Sequence, residues 1–131
     1  RSQDKDNNPK VIVGRLKKEY KYTIEDAIKF LKSKIGDPYD HVFLTTNNKY
    51  YCSELIHDAF KKNEIFKLQP MTFINPKTQK TMDVWRDYYQ KLNIEVPEGK
   101  LGINPGIMSL SNKIDIVHIY GYPMNIEISH E

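Results

Sequence analysis

The stretch Tyr50–Phe60, YYCSELIHDAF, contains both a helix pattern and a candidate nucleophile. Apolar residues recur at helical spacing from Cys52 onward, which is typical of a helix with one buried face. Lys61 and Lys62 follow, in the last turn, where cations interact favourably with the helix dipole. The spacing therefore predicts a helix over residues 52–62, with the cysteine in its first turn. The apolar stripe consists of Cys52, Leu55, Ile56, Ala59 and Phe60.

Cys52 is the single cysteine of the chain, so an internal disulfide and a multi-cysteine zinc site are both impossible. Unpaired N–H groups at a helix N-terminus stabilise a thiolate and can also stabilise the oxyanion of an attacked carbonyl. These properties indicate a nucleophile. Because the residue also lies on the apolar stripe, and free cysteines are commonly buried, a packed and inert thiol remains the alternative interpretation.

The regions on either side of this stretch predict two more helices and a few strands. Helical spacing predicts helices over residues 23–35, ended by Gly36, and over residues 83–92. β-Branched residues and alternation predict strands over residues 10–16, 114–120 and, very briefly, 42–44. Helices and strands in separate stretches indicate an α+β fold. Since a stable sheet usually needs three strands or more, we expect short pieces or strands from outside the chain to complete it.

Composition excludes several classes of protein. A length of 131 residues with 39% apolar content fits a single domain, residues 1–131, with one modest core. The formal net charge of +3 is scattered, so no nucleic-acid partner is expected. No apolar run is long enough for a transmembrane segment, and no N-terminal signal pattern is present. The four histidines are too dispersed for a metal site, and we expect no metal and no cofactor.

The stretch Tyr50–Phe60, together with GDPYD at Gly36–Asp40, resembles the circularly permuted, papain-like branch of the NlpC-type hydrolase superfamily, the YiiX-like proteins. The resemblance implies a papain-like fold, in which the helix bearing the nucleophile packs on a small antiparallel sheet or barrel. It also implies a thiol hydrolase, an amidase, peptidase or acyl-ester hydrolase, that acts on cell-envelope peptides or lipid-linked groups outside the cytoplasm. Weaker matches are GRL (Gly14–Leu16), PMTF (Pro70–Phe73) and KIDIVHIYG (Lys113–Gly121).

One departure from the family pattern concerns the catalytic base. In the permuted branch a histidine and its orienting residue precede the cysteine, whereas no histidine here precedes His41, whose surroundings do not match that strand. The sequence also begins at Arg1 rather than at methionine. We therefore expect a missing N-terminal segment or a second chain to supply the base and complete the fold, and the fragment alone to be nearly inactive. The alternative is a non-catalytic lipid- or peptide-binding module on the same fold.

His118 is the rival base within the chain, because in unpermuted relatives the histidine follows the cysteine on a comparable strand. By the same resemblance, Tyr120 is the best match to a tyrosine that lies by the nucleophile and can donate to the oxyanion, with Tyr122 second. Strand alternation places His118 and Tyr120 on one face with Ile114 and Ile116. A strand histidine with a satisfied hydrogen bond and an aromatic core residue remain the alternatives.

Three side chains after Cys52 have structural interpretations. Glu54 and Asp58 are one helical turn apart, and like charges at this spacing are usually solvated. His57 does not face the thiol and is expected at the surface or as a partner of Asp58. An aromatic stripe on the third helix, whose spacing favours core packing over a ligand groove, comprises Trp85, Tyr88 and Tyr89.

Overall fold

The structure, a computed structural model, describes Gln3 and residues 5–121. The helices are α1 (Ile24–Ser33), α2 (Cys52–Ala59), α3 (Asp83–Lys91) and α4 (Pro105–Ser109). The strands are β1 (Val11–Leu16), β2 (Gln69–Pro70), β3 (Leu101–Gly102) and β4 (Ile114–Tyr120). Short 3₁₀ helices occupy Lys18–Thr23 and Lys61–Asn63. The three predicted helices and both long strands are present, and the α+β prediction is confirmed.

The strands form two separate antiparallel pairs. β1 pairs with β4, and the two-residue strands β2 and β3 pair with each other. The expected strand at Val42–Leu44 is wrong, because the backbone there turns around a side chain instead. The buried carboxylate of Asp40 accepts hydrogen bonds from the backbone N–H groups of Val42 and Leu44, at 2.9 and 2.8 Å. A side chain that binds two N–H donors of the same short segment competes with strand pairing for them.

A β-bulge changes the faces of the β1–β4 pair. Val13 lies opposite His118 while Gly14 lies opposite Ile116, so Val117 has no partner on β1. The extra residue reverses the alternation beyond it, and His118 lies on the face opposite to that of Ile116. The prediction that His118 shares a face with Ile114 and Ile116 is therefore wrong. The prediction failed because the face of His118 depends on the register of its pairing with β1, which the sequence of β4 alone does not determine.

Helix α1 packs against α2 with only part of its apolar face. Ala27 is 1% exposed, whereas Ile24 and Ile28 retain 39% and 46% of their accessible surface. The helix ends at Ser33, and Gly36 follows with a φ of +93°, a conformation in which glycine carries no steric penalty. Gly36 thus ends the helical region as expected, and the chain turns back toward the start of α2.

Aromatic rings fill the space between α3 and the start of α2. Tyr89 is fully buried, and its ring meets Phe73 edge-on with centroids 5.7 Å apart. Trp85 and Tyr88 join the same cluster, and Phe43 contacts both rings from the turn before α2. The predicted core role of the α3 stripe is confirmed. Edge-to-face pairs of this kind stabilise a core beyond the area that they bury.

A cavity of about 800 Å³ is lined by the β1–β4 pair. Its lining is mainly apolar and comes from one face of that pair, from α4, and from Phe60 and Phe66. Cys52 does not belong to this lining, so the thiol and the cavity are different features. Among the described residues, no helix has the length and apolar character needed to cross a membrane.

Candidate active site

Cys52 is the first residue of α2 and its side chain is exposed. Tyr51 precedes it in extended conformation, with φ −96° and ψ 167°, so the chain enters the helix from a strand-like segment. The first N–H groups of a helix have no partner within it and point toward its start. The thiol therefore lies at a helix N-terminus, beside N–H groups that have no partner within the helix, and it is exposed. The interpretation of Cys52 as a residue packed in the core is wrong, while its reactivity stays a prediction.

The start of α2 is fixed by buried hydrogen bonds to Ile103, the residue after β3. The Ser53 hydroxyl donates to the Ile103 carbonyl oxygen at 3.0 Å, and the Ile103 N–H donates to the Tyr51 phenol oxygen at 3.0 Å. Tyr51, Ser53 and Ile103 are all buried. These residues lie on both sides of Cys52 in the chain, so the backbone that carries the thiol is held in one position.

Glu54 holds the same backbone from inside the helix. Its carboxylate accepts a hydrogen bond from the Tyr51 N–H at 3.2 Å, as a residue at the third helical position does in a capping box. The side chain is 3% exposed, so the expectation of a solvated Glu54 is wrong. Burial, and then the negative charges of Asp58 and Asp40, raise the pKa of Glu54 to about 7 against the hydrogen bond from Tyr51, which lowers it.

Tyr39 is the side chain that the fold brings to the thiol. Its segment pairs in parallel with Tyr50, and the Asp40 N–H donates to the Tyr50 carbonyl at 2.9 Å. Burial raises the pKa of the Tyr39 phenol, and so does the negative charge that Cys52 acquires on ionisation, while the Cys52 backbone N–H lowers it. This electrostatic interaction, together with the pairing of its segment with Tyr50, places the phenol near Cys52, where it can donate to sulfur or to a group bound there.

The turn that follows Tyr39 is held by α3. The Tyr88 hydroxyl donates to the His41 carbonyl at 2.6 Å, and the Tyr89 hydroxyl donates to the Val42 carbonyl at 2.9 Å. Phe43 has a φ of +62°, an uncommon conformation for a bulky residue, which persists only where the surroundings enforce it. The Tyr39 ring also lies against His41, with centroids 4.9 Å apart. Two hydrogen bonds from α3 thus hold the turn that follows Tyr39.

His118 and Tyr120 lie elsewhere, on β4, with ring centroids 4.4 Å apart. In the part of the chain that the structure describes, no hydrogen bond or ring contact joins either side chain to Cys52. Their catalytic roles therefore remain predictions, and Tyr122 lies outside the described residues. His57 is buried and its Nδ1 lies 2.8 Å from the Asp58 carboxylate, so the predicted pairing is confirmed and the surface location is wrong.

A family model described as permuted papain-like amidase enzymes, YaeF/YiiX, the C92 family, matches residues 4–118. The chain belongs to this amidase family. A comparison with curated protein sequences gave no match. Among solved structures, the chain is similar to the crystal structure of the metalloprotein yiiX from Escherichia coli O157:H7, with a TM-score of 0.65 and 18% identity. The alignment covers 86% of this chain and 62% of that chain. The papain-like fold expected from the sequence is confirmed.

The family match does not by itself identify a catalytic residue, and Cys52 stays the nucleophile predicted from the sequence. The chain spans 62% of the length of the solved structure that it matches. The word metalloprotein in that structure's title describes that protein. Across Gln3 and residues 5–121, no group of three or more histidine, cysteine, aspartate or glutamate side chains could hold a metal ion.

Sequence reasoning missed Tyr39 and Glu54. Tyr39 stands within the motif Gly36–Asp40, but its contact with Cys52 depends on the chain returning after the intervening turn. Glu54 had a local signal, because a glutamate three residues after the last extended residue is the second half of a capping box. That pattern could have predicted that Glu54 faces the backbone rather than solvent.

Proposed function

We propose that this chain carries the nucleophile of a thiol hydrolase, an amidase or peptidase or an acyl-ester hydrolase, and that the nucleophile is Cys52. The observation that supports this most strongly is an exposed thiol at the first residue of α2, with the Tyr39 phenol beside it, in a member of an amidase family. A thiol at a helix N-terminus is placed for attack on a carbonyl, since the free N–H groups favour both thiolate and oxyanion.

In the proposed reaction the Cys52 sulfur attacks the carbonyl carbon, and a general base takes the thiol proton. The Tyr39 phenol donates a hydrogen bond toward the developing oxyanion. The carbon–nitrogen or carbon–oxygen bond then breaks, the leaving group takes the proton from the base, and an acyl thioester remains on Cys52. Attack by water on the thioester releases the acid and restores the thiol.

The base of this reaction is proposed to lie outside residues 1–131, on an N-terminal segment or on a second chain. Two observations support this. No described histidine is hydrogen-bonded to Cys52, and the matched structure is longer than this chain. Cell-envelope peptides or lipid-linked groups, acted on outside the cytoplasm, are the proposed substrates, by the resemblance to YiiX-like proteins. His118 and Tyr120 remain the candidates for base and oxyanion donor within the chain.

Acyl-enzyme formation tests the proposal without knowledge of the natural substrate. The protein is incubated with p-nitrophenyl acetate, an activated ester, and the peptide that contains Cys52 is analysed by mass spectrometry. We expect an acetyl group on Cys52 in the wild type and none on that peptide in Cys52→Ala. Tyr39→Phe should slow acetylation about tenfold, because it removes one oxyanion donor while it keeps the ring.

A matched control is Tyr22→Phe, which removes the hydroxyl of an exposed tyrosine that binds Asn63 at the far end of α2. It should acetylate at the wild-type rate. Ester cleavage that continues unchanged in Cys52→Ala would overturn the assignment of the nucleophile. Fusion of the missing segment should raise the rate by orders of magnitude if that segment carries the base.

A further inference from the structure

Ile103, the residue that holds the start of α2, is itself placed by the β2–β3 pair. β3 ends at Gly102, immediately before Ile103, and Gly102 lies opposite Gln69 on β2. Backbone hydrogen bonding continues beyond the two strands, since the Met71 N–H donates to the Lys100 carbonyl oxygen at 2.8 Å. The location of Ile103 therefore depends on how closely β3 lies to the segment that begins at Gln69.

Gly102 has no room for a side chain. A Cβ atom added there would collide with the Sδ of Met71, and it would lie 2.6 and 2.8 Å from the Met71 Cγ and Cε. Because the Cγ is also in conflict, rotating only the end of the methionine side chain would not make room. Gly102 is buried and its φ is not positive, so a larger residue is excluded by the lack of space and not by the backbone conformation.

The connection from Ile103 to Cys52 consists of hydrogen bonds and peptide bonds. The Ile103 N–H donates to the Tyr51 phenol oxygen, and its carbonyl oxygen accepts from the Ser53 hydroxyl, each at 3.0 Å. Tyr51 and Ser53 are the two neighbours of Cys52 in the chain, and both are buried together with Ile103. A displacement of Ile103 would therefore either leave buried polar groups unpaired or shift the residues on both sides of the nucleophile.

We propose that Gly102 is a positioning residue for Cys52: the absence of a side chain lets β3 lie against Met71, and this places Ile103 where it binds both neighbours of Cys52. The proposal rests on the proposed function in taking Cys52 as the nucleophile. Misplacement of a reacting group by about 1 Å can slow a reaction about a hundredfold. Gly102→Ala forces β3 and Met71 apart and should slow attack by Cys52, whereas removal of the Met71 side chain should make the alanine harmless.

The dependence of one substitution on the other tests the proposal. Acetylation of Cys52 by p-nitrophenyl acetate and hydrogen exchange of the Ile103 N–H, followed by NMR, are measured in wild type, Gly102→Ala, Met71→Ala and the double variant. We expect Gly102→Ala to slow acetylation about tenfold and to speed exchange at Ile103 about tenfold. Met71→Ala should stay within about twofold of the wild type in both, because the backbone pairing of β2 with β3 remains. The double variant should match Met71→Ala.

Two controls separate this effect from a general loss of stability. Gly106→Ala changes an exposed glycine of the same segment, on α4, where a Cβ would meet only the Asn104 side-chain oxygen at 3.2 Å. It should match the wild type in both measurements. The Lys17 N–H, which donates to the Lys113 carbonyl elsewhere in the fold, should exchange at the wild-type rate in every variant. Faster exchange there in Gly102→Ala, equal to that at Ile103, would indicate general destabilisation and overturn the proposal.

Two further results would overturn it: acetylation of Gly102→Ala at the wild-type rate, or equal slowing by this substitution with and without the Met71 side chain. If Gly102→Ala does not fold, the double variant is compared with Met71→Ala, and a rate more than about tenfold lower would overturn the proposal. Tyr51→Phe, which removes the acceptor of the Ile103 N–H, must then also slow acetylation. A wild type without acetyl on Cys52 would contradict the proposed function, while exchange at Ile103 would still test the packing of Gly102 on Met71.

Discussion

The start of α2 and the β1–β4 pair contain similar mixtures of apolar and polar residues but are held together in different ways. Around Cys52, buried polar groups such as Asp40, Ser53 and Glu54 each bind backbone atoms. In the β1–β4 pair, Ile116 and Val117 remain 42% and 48% exposed, and a backbone ladder joins the two strands. Two strands alone make a marginal sheet.

This difference indicates that the backbone around Cys52 is fixed in one arrangement more strictly than the β1–β4 pair. Buried polar networks are costly unless every member is satisfied, and they then fix one arrangement of the chain. In the described part of the chain, no buried side-chain nitrogen or oxygen lacks a hydrogen-bond partner. The network around Cys52 is therefore expected to respond strongly to single substitutions, and the β1–β4 pair weakly.

The largest effect is expected at Asp40, which is fully buried and binds the N–H groups of Val42 and Leu44. Asp40→Ala removes both acceptors and leaves two backbone donors unsatisfied in the interior. We expect a loss of about 3 kcal/mol in the free energy of unfolding, measured by urea denaturation. Asp37→Ala, at an exposed position of the same segment, is the matched control and should leave the midpoint unchanged. Equal midpoints for the two variants would contradict the role of Asp40.

A smaller effect of opposite sign is expected from Glu54→Gln. The Glu54 carboxyl has an ordinary pKa of 4.5 and a folded pKa of about 7, so the folded state binds the proton more tightly. Its contribution to stability is present below about pH 4.5 and is lost as the pH rises to about 7. The variant cannot ionise and should equal the wild type near pH 4 and exceed it by about 2 kcal/mol near pH 8 in urea denaturation. The same difference at both pH values would contradict this account.

The sequence predicted those parts of the fold that depend on local pattern. Helix α2 begins at Cys52 and β4 spans Ile114–Tyr120 as expected, because amphipathic spacing and β-branched residues act within one element. The bulge at Val117 and the burial of Glu54 depend on a pairing partner or on segments from elsewhere in the chain. For the candidate site, the place of Cys52 at the start of a helix could therefore be predicted from the sequence, whereas the proximity of Tyr39 could not.

A moderate effect is expected at Tyr89, whose buried hydroxyl donates to the Val42 carbonyl. Tyr89→Phe keeps the ring in the aromatic cluster and removes one hydrogen bond, for an expected loss of about 1 kcal/mol in the free energy of unfolding. Tyr22→Phe removes a hydroxyl from an exposed tyrosine and should change little. Thermal unfolding of both variants measures the difference. A Tyr89→Phe variant as stable as Tyr22→Phe would show that the turn before α2 does not depend on α3.

The smallest effect is expected on the β1–β4 pair, at His118. Its side chain is exposed, its ring lies against Tyr120, and no described hydrogen bond links it to Cys52. His118→Ala should therefore change the free energy of unfolding by less than about 0.5 kcal/mol, as is usual for exposed positions.

Acetylation of Cys52 by p-nitrophenyl acetate in His118→Ala should proceed within about twofold of the wild-type rate, because the proposed base lies outside residues 1–131. Tyr22→Phe, at an exposed position outside the candidate site, is the control and should change neither quantity. A loss of more than about tenfold in acetylation by His118→Ala alone, with stability unchanged, would make His118 the base. That outcome would mean that β4 approaches α2 when substrate binds. The difference between the start of α2 and the β1–β4 pair would then hold only for the free protein.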